Sequence, residues 1–223
     1  MIARLLAAGL VAGVVAGLAV AALQHATTTP LILAAEVYEA AQHAHDAAAE
    51  HAGPALEGLR RTAATSVATI AVSIGYALIL LAGMVFSGER IDARRAALWG
   101  ACAFAATGLA TSLGLAPQLP GAAETDLAGR QLWWIGAAVS TGAGLYALLR
   151  LDAIAARIAG VALIVAPHFF WPTLAAPEST VPAELAARFA AASLTVQAVS
   201  WVLAGALAGL VWSVIFQDPT EAA

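Results

Sequence analysis

Lysine is absent from the 223-residue chain, cysteine occurs once, and charged residues make up only 11% of it. Each scarcity excludes something. A surface in contact with water needs far more charge than this, and with 61% hydrophobic residues and a mean hydropathy of +0.85 the composition rules out a soluble globular protein. The ten basic residues are all arginine against fourteen acidic ones, for a net charge of −4, so there is no basic face for nucleic acid. The lone Cys102 cannot form an intramolecular disulfide and falls in an apolar run, where it reads as a small buried hydrophobe. Hydrolase, nucleotide-binding and zinc-protease signatures are missing: there is no Gly-x-Ser-x-Gly elbow, no Walker glycine loop and no His-Glu-x-x-His helix. No enzymatic activity and no resident cofactor are expected.

Charge-free runs fill the chain instead. None of Asp, Glu, Lys or Arg occurs in 5–35, 62–88, 96–123, 131–149, 158–177 or 189–217, and each run can hold the roughly 20 apolar residues that cross a bilayer. The expectation is an all-α, polytopic integral membrane helix bundle in a single domain over 1–223. Its six transmembrane helices lie near 5–23, 64–86, 96–116, 131–150, 154–171 and 189–216. A connection over 24–62 carries one external helix. The count falls to five if the first run is cleaved as a signal or if the fifth, with Arg157 at its start and Pro167 near its end, is re-entrant. Gly9, Gly13 and Gly17 form a stripe that admits another helix closely, and Gly205 and Gly209 read the same way.

Arginines set the orientation. In the six-span arrangement Arg4, Arg90, Arg94, Arg95, Arg150 and Arg157 share one side and Arg60, Arg61, Arg130 and Arg188 the other, so both termini are expected on the cytoplasmic side of an inner-membrane-type protein. Nine of the fourteen acidic residues, Glu36 to Glu184, then face outward and attract cations.

The external stretch is where ligand chemistry gathers. Thr28 or Thr29 before Pro30 predicts a helix start and Gly53-Pro54 its stop, giving a helix over 30–52. On such a helix Glu36, Glu39, His43, Asp46 and Glu50 share an arc of about 80°. Glu39 and His43 are one turn apart, and His45 and His51 lie off the arc but nearby. Three of the five histidines thus fall within nine residues. Imidazole with carboxylate suits divalent ions such as cobalt, nickel or zinc. A solvated acidic face on an alanine-rich helix would show the same pattern.

His168 is the other candidate ligand, set in Pro167-His168-Phe169-Phe170-Trp171-Pro172. Pro167 frees a carbonyl one turn earlier, so carbonyl and imidazole together can form part of an entrance; an interfacial aromatic anchor is the alternative. His25 has the same ambiguity. The spans hold no interior carboxylate, and Gln197, Ser200, Thr107, Thr111, Ser140 and Thr141 are their most polar residues, which removes the usual mark of a proton-coupled carrier.

Four stretches together resemble the CbtA family of proposed cobalt transporter subunits. They are Pro30-Leu31-Ile32-Leu33-Ala34-Ala35-Glu36-Val37-Tyr38-Glu39; Pro120-Gly121 through Asp126-Leu127 to Arg130-Gln131-Leu132-Trp133-Trp134; the Pro167–Pro172 segment; and Val181-Pro182-Ala183-Glu184-Leu185 with Phe189. The resemblance runs nearly end to end. It implies uptake of cobalt(II) as the transported ion for cobalamin synthesis, beside a small single-span, histidine-bearing CbtB-like partner. The rival expectation is a structural or assembly protein of the membrane whose acidic loop docks another subunit without binding metal.

Overall fold

The computed structural model describes residues 1–43, 54–119, 126–170 and 181–216, with side chains described except at 39–43 and 54–57. Among the described residues all regular structure is helical: α1 (Ile2–His43), α2 (Pro54–Phe86), α3 (Ala93–Phe104), a π turn (Ala105–Leu109), α4 (Ala110–Ser112), α5 (Leu127–Arg150), α6 (Ile154–Val165), a 3-10 turn (Ala166–Phe169) and α7 (Ala183–Phe216). Four helices are long and apolar enough to cross a membrane: Ile2–Tyr38, Gly58–Phe86, Leu127–Arg150 and Ala183–Phe216. The other two expected spans take different forms. One is α3, the π turn and α4, which follow each other without a break, and the other is a shorter apolar helix over Ile154–Phe169.

Pro30 does not start a helix. It sits inside α1, which continues through it to His43. Proline withholds the N–H that would bond the Ala26 carbonyl, yet a membrane offers no water to a broken helix, so the chain stays helical past it. In the preceding turn the Thr27 hydroxyl donates to the Leu23 carbonyl at 2.7 Å and that of Thr28 to the Gln24 carbonyl at 3.2 Å. The separate external helix expected over 30–52 is therefore, as far as His43, an extension of the first span; residues 44–52 lie outside the described ones.

The chain forms two compact units, one from the described residues of 1–29, 46–101 and 196–223 and one from those of 30–45 and 102–195. In the first, Ala8, Ala12, Ala16, Ala77, Ala96, Ala204 and Ala208 with Leu81, Met84 and Ile91 make a core dominated by alanine. The glycine stripe of α1 packs on α2. A Cβ built on Gly13 would clash with the Ile74 Cα, and one on Gly17 would lie 2.5 Å from the Ile70 Cα. Gly205 and Gly209 likewise admit the backbone of Ala96 and Asp92. With lipid outside as apolar as the core inside, close backbone approach is what holds such helices together.

In the second unit α5 and α6 form a hairpin closed at Gly144 and Gly160, where a Cβ on either would strike the other's carbonyl oxygen at 2.5 and 2.8 Å. Asp126 caps α5, its side chain accepting from the Ala128 N–H at 3.1 Å. Ala35, Leu119 and Val181 form a small separate core with Ile32, Leu185 and Phe189. Large apolar side chains such as Val67, Ile79, Leu132 and Val139 stay more than half exposed, as lipid contact requires.

Candidate functional site

The expected metal face is only partly within the described residues. Glu36 is half-buried on α1; Glu39 and His43 occupy helical positions three and seven residues further on; His45, Asp46, Glu50 and His51 lie outside the described residues. Among the described residues no three His, Cys, Asp or Glu side chains gather into a metal-sized group.

At His168 the carbonyl freed by Pro167 is already taken. That carbonyl belongs to Leu163, and the Ser140 hydroxyl of α5 donates to it at 2.6 Å. The Pro167 carbonyl accepts the Trp133 indole N–H at 3.1 Å, and the same indole meets the His168 ring edge-on at 6.0 Å between centroids. The end of α6 and the 3-10 turn are thus each tied to α5 by one bond, and His168 packs on an aromatic anchor; the expected pairing of imidazole with a freed carbonyl gives way to the hydroxyl of a neighbouring helix. A groove of about 560 Å³ near this hairpin is lined by Gln118, Arg130, Gln131 and Trp134, with the Arg130 guanidinium donating to Gln118 Oε1 at 2.9 Å. A guanidinium in the wall disfavours a cation there.

Ligand-bearing side chains do come together in the first unit, between α1 and α2. His25 Nε2 lies 3.1 Å from the Ser66 hydroxyl, and His25 Nδ1 lies 3.4 Å from that of Thr29. One turn deeper Thr69 donates to Gln24 Oε1 at 2.6 Å. Thr28 is buried beside them. Deeper still, the Tyr76 ring stacks on Trp201 of α7 with centroids 3.6 Å apart, and the Gln197 side chain lies within hydrogen-bonding reach of the Tyr76 hydroxyl. Residue-by-residue reasoning about spans passes over this set because each hydroxyl alone reads as packing. Its signal is the spacing Thr62, Ser66, Thr69, Ser73, Tyr76, which puts all five on one face of α2.

Helices of membrane-crossing length, apolar faces left exposed and polar side chains paired between helices define a polytopic α-helical membrane protein. A family profile described as "Probable cobalt transporter subunit (CbtA)" matches residues 2–213, and the chain belongs to that family. The resemblance read from the Pro30–Glu39, 120–134, 167–172 and 181–189 stretches is thereby established. No curated protein and no solved structure matches the chain. Membership makes it a component of metal transport, with a metal ion as the substrate.

Proposed function

We propose that the protein accepts cobalt(II) at the outer face of the bacterial inner membrane and passes it inward for cobalamin synthesis, working beside a small single-span, histidine-bearing CbtB-like partner. Family membership over residues 2–213 is the observation that carries this reading. The uninterrupted α1 supports the place of capture: beyond the apolar run it remains helical to His43, so Glu36, Glu39 and His43 recur at intervals of three and four along one rod. His45, Asp46, Glu50 and His51 follow at once, and their mixed oxygen and nitrogen donors suit a divalent transition metal. His168 is a secondary candidate ligand. Six crossings with both termini in the cytoplasm would put this stretch outside and six of the ten arginines inside.

The test is the Glu39→Ala, His43→Ala double variant. Alanine keeps the helix, so lost cobalt handling would not reflect unfolding. Losing such ligands should cost about 10- to 100-fold in affinity by analogy with other metal-site substitutions. Cobalt accumulation should fall when the metal is scarce and recover when it is abundant. Unchanged accumulation across a cobalt titration, at equal membrane abundance, would remove the capture site and favour the rival, an assembly subunit that docks a partner through its acidic stretch.

A further inference from the structure

The groove of about 560 Å³ beside α5 has the size of a ligand site, for which roughly 300–1,000 Å³ is usual. One wall is α5 itself. Leu127, Arg130, Gln131, Trp134 and Ile135 follow at intervals of three and four residues, so they share a single helix face. Ser140 and Gly144, which join α5 to α6, lie on another face and leave this one open. The second wall is the stretch that follows α4, with Leu115, Pro117 and Gln118. Leu127, Trp134 and Ile135 remain exposed although they are large and apolar.

The polar groups of this groove are rich in donors. Arg130 donates through Nη2 to Gln118 Oε1 at 2.9 Å, and a guanidinium carries more N–H groups than that bond uses. With its oxygen so engaged, Gln118 keeps its amide N–H groups to offer, and Gln131 adds a second amide. Asp126, the acid that caps α5, is turned onto the Ala128 N–H at 3.1 Å, and among the described residues no carboxylate lines the groove. Such a set suits an anion, above all a phosphate, whose oxygens match the guanidinium fork. A small hydrated anion would nevertheless leave Leu115, Leu127, Trp134 and Ile135 uncovered. A ligand with a charged head and a hydrocarbon part covers both. The depth agrees: Arg130 is the last charged residue before the charge-free run 131–149, and Trp133 and Trp134 sit where an aromatic belt meets the headgroups. Ile135 lies about 7.5 Å further along the axis at 1.5 Å per residue, toward the acyl chains.

We propose that this groove holds one anionic glycerophospholipid of the phosphatidylglycerol class. The phosphodiester pairs with the Arg130 guanidinium, the headgroup hydroxyls bond the amides of Gln118 and Gln131, and an acyl chain lies along Trp134 and Ile135. A zwitterionic headgroup would bring an ammonium group for which the described lining has no carboxylate, so it binds more weakly. The lipid ties the stretch after α4 to α5 at the level of the Arg130–Gln118 bond. This inference needs only that the chain is a membrane protein and is independent of which ion it transports.

The experiment uses the full chain, purified in detergent, stripped of lipid and titrated with phosphatidylglycerol, phosphatidylcholine or glycerol phosphate. Native mass spectrometry counts bound molecules and thermal melting reports stabilisation. Phosphatidylglycerol at 100-fold its dissociation constant should raise the melting temperature by about 5–10 °C. Phosphatidylcholine and glycerol phosphate should each bind about tenfold more weakly or worse. Gln131→Glu places a carboxylate in the wall at an exposed position, so lipid-free melting should match the wild type while phosphatidylglycerol affinity falls about 10- to 100-fold. Arg130→Gln removes the charge and should weaken binding by a similar factor. Equal affinity for phosphatidylglycerol and phosphatidylcholine, or unchanged affinity in either variant, overturns the proposal. Glycerol phosphate binding as tightly as the lipid would make this a site for a soluble anion, and a lipid-free dimer that Gln131→Glu dissociates would give the face to a second copy of the chain. Either result overturns it as well.

Discussion

Adding one carbon at Gly13 should be enough to unseat α1 from α2. A Cβ there would clash with the Ile74 Cα and stand 2.7 Å from the Ile74 nitrogen and 2.8 Å from its Cγ1. Non-bonded atoms settle at about 3.5–4.0 Å, so Gly13→Ala requires the helices to part by about 1 Å. Two of the three atoms struck are backbone and cannot rotate away. Overpacking of this kind costs about 1–3 kcal/mol. The same opening would stretch the His25–Ser66 contact of 3.1 Å beyond hydrogen-bonding range and strain the Gln24–Thr69 bond, each worth about 1 kcal/mol net. A total near 3 kcal/mol should lower the melting temperature of the detergent-solubilised protein by about 6–12 °C at roughly 2–4 °C per kcal/mol. Gly75→Ala is the control, since a Cβ on that neighbour of Ile74 meets nothing within 4 Å. It should be neutral or stabilise by about 0.5–1 kcal/mol through helix propensity. Gly9→Ala should fall between them, because its obstacle is the movable Leu78 side chain. If Gly13→Ala melts with Gly75→Ala, close backbone approach is not what holds the two helices together.

The proline staple predicts a thermodynamic cycle. Ser140→Ala should destabilise by about 1–3 kcal/mol by orphaning the Leu163 carbonyl, and in a Pro167→Ala background, where the helix can supply its own N–H, most of that cost should vanish; equal costs in both backgrounds would disprove the coupling. Trp133→Phe keeps the aromatic contact with His168 but loses the bond to the Pro167 carbonyl, so it should cost about 1 kcal/mol, read by the same melting assay. For the topology, reporters after Glu221 and within 88–95 should read cytoplasmic and one within 40–52 external; an external C-terminus would leave five crossings instead of six.

What lay open in the sequence was whatever follows from neighbours along the chain. Charge-free runs of span length, the absence of lysine and the thin supply of charge place the chain in a membrane, because transfer into lipid is a sum over consecutive residues. The Gly9, Gly13, Gly17 repeat announced a close helix contact for the same reason, since a face is a matter of spacing alone. The residues at 30–39, 120–134, 167–172 and 181–189 were specific enough together to mark the family. Which helix fills a glycine stripe is not a local property, and only the packing assigned it to Ile70, Ile74 and Leu78. Proline misled twice for one reason. Its missing hydrogen bond need not end a helix inside a membrane: α1 continues through Pro30 to His43, while at Pro167 the Ser140 hydroxyl, 23 residues away in sequence, supplies the Leu163 carbonyl with the bond that the proline withholds. The His25, Ser66, Gln24 and Thr69 cluster depends on pairs more than 40 residues apart. A hydroxyl in a span looks the same in sequence whether it bonds its own helix, a neighbour or nothing; only the tertiary structure decided which of these each one does, because the partner is set by which helices pack together.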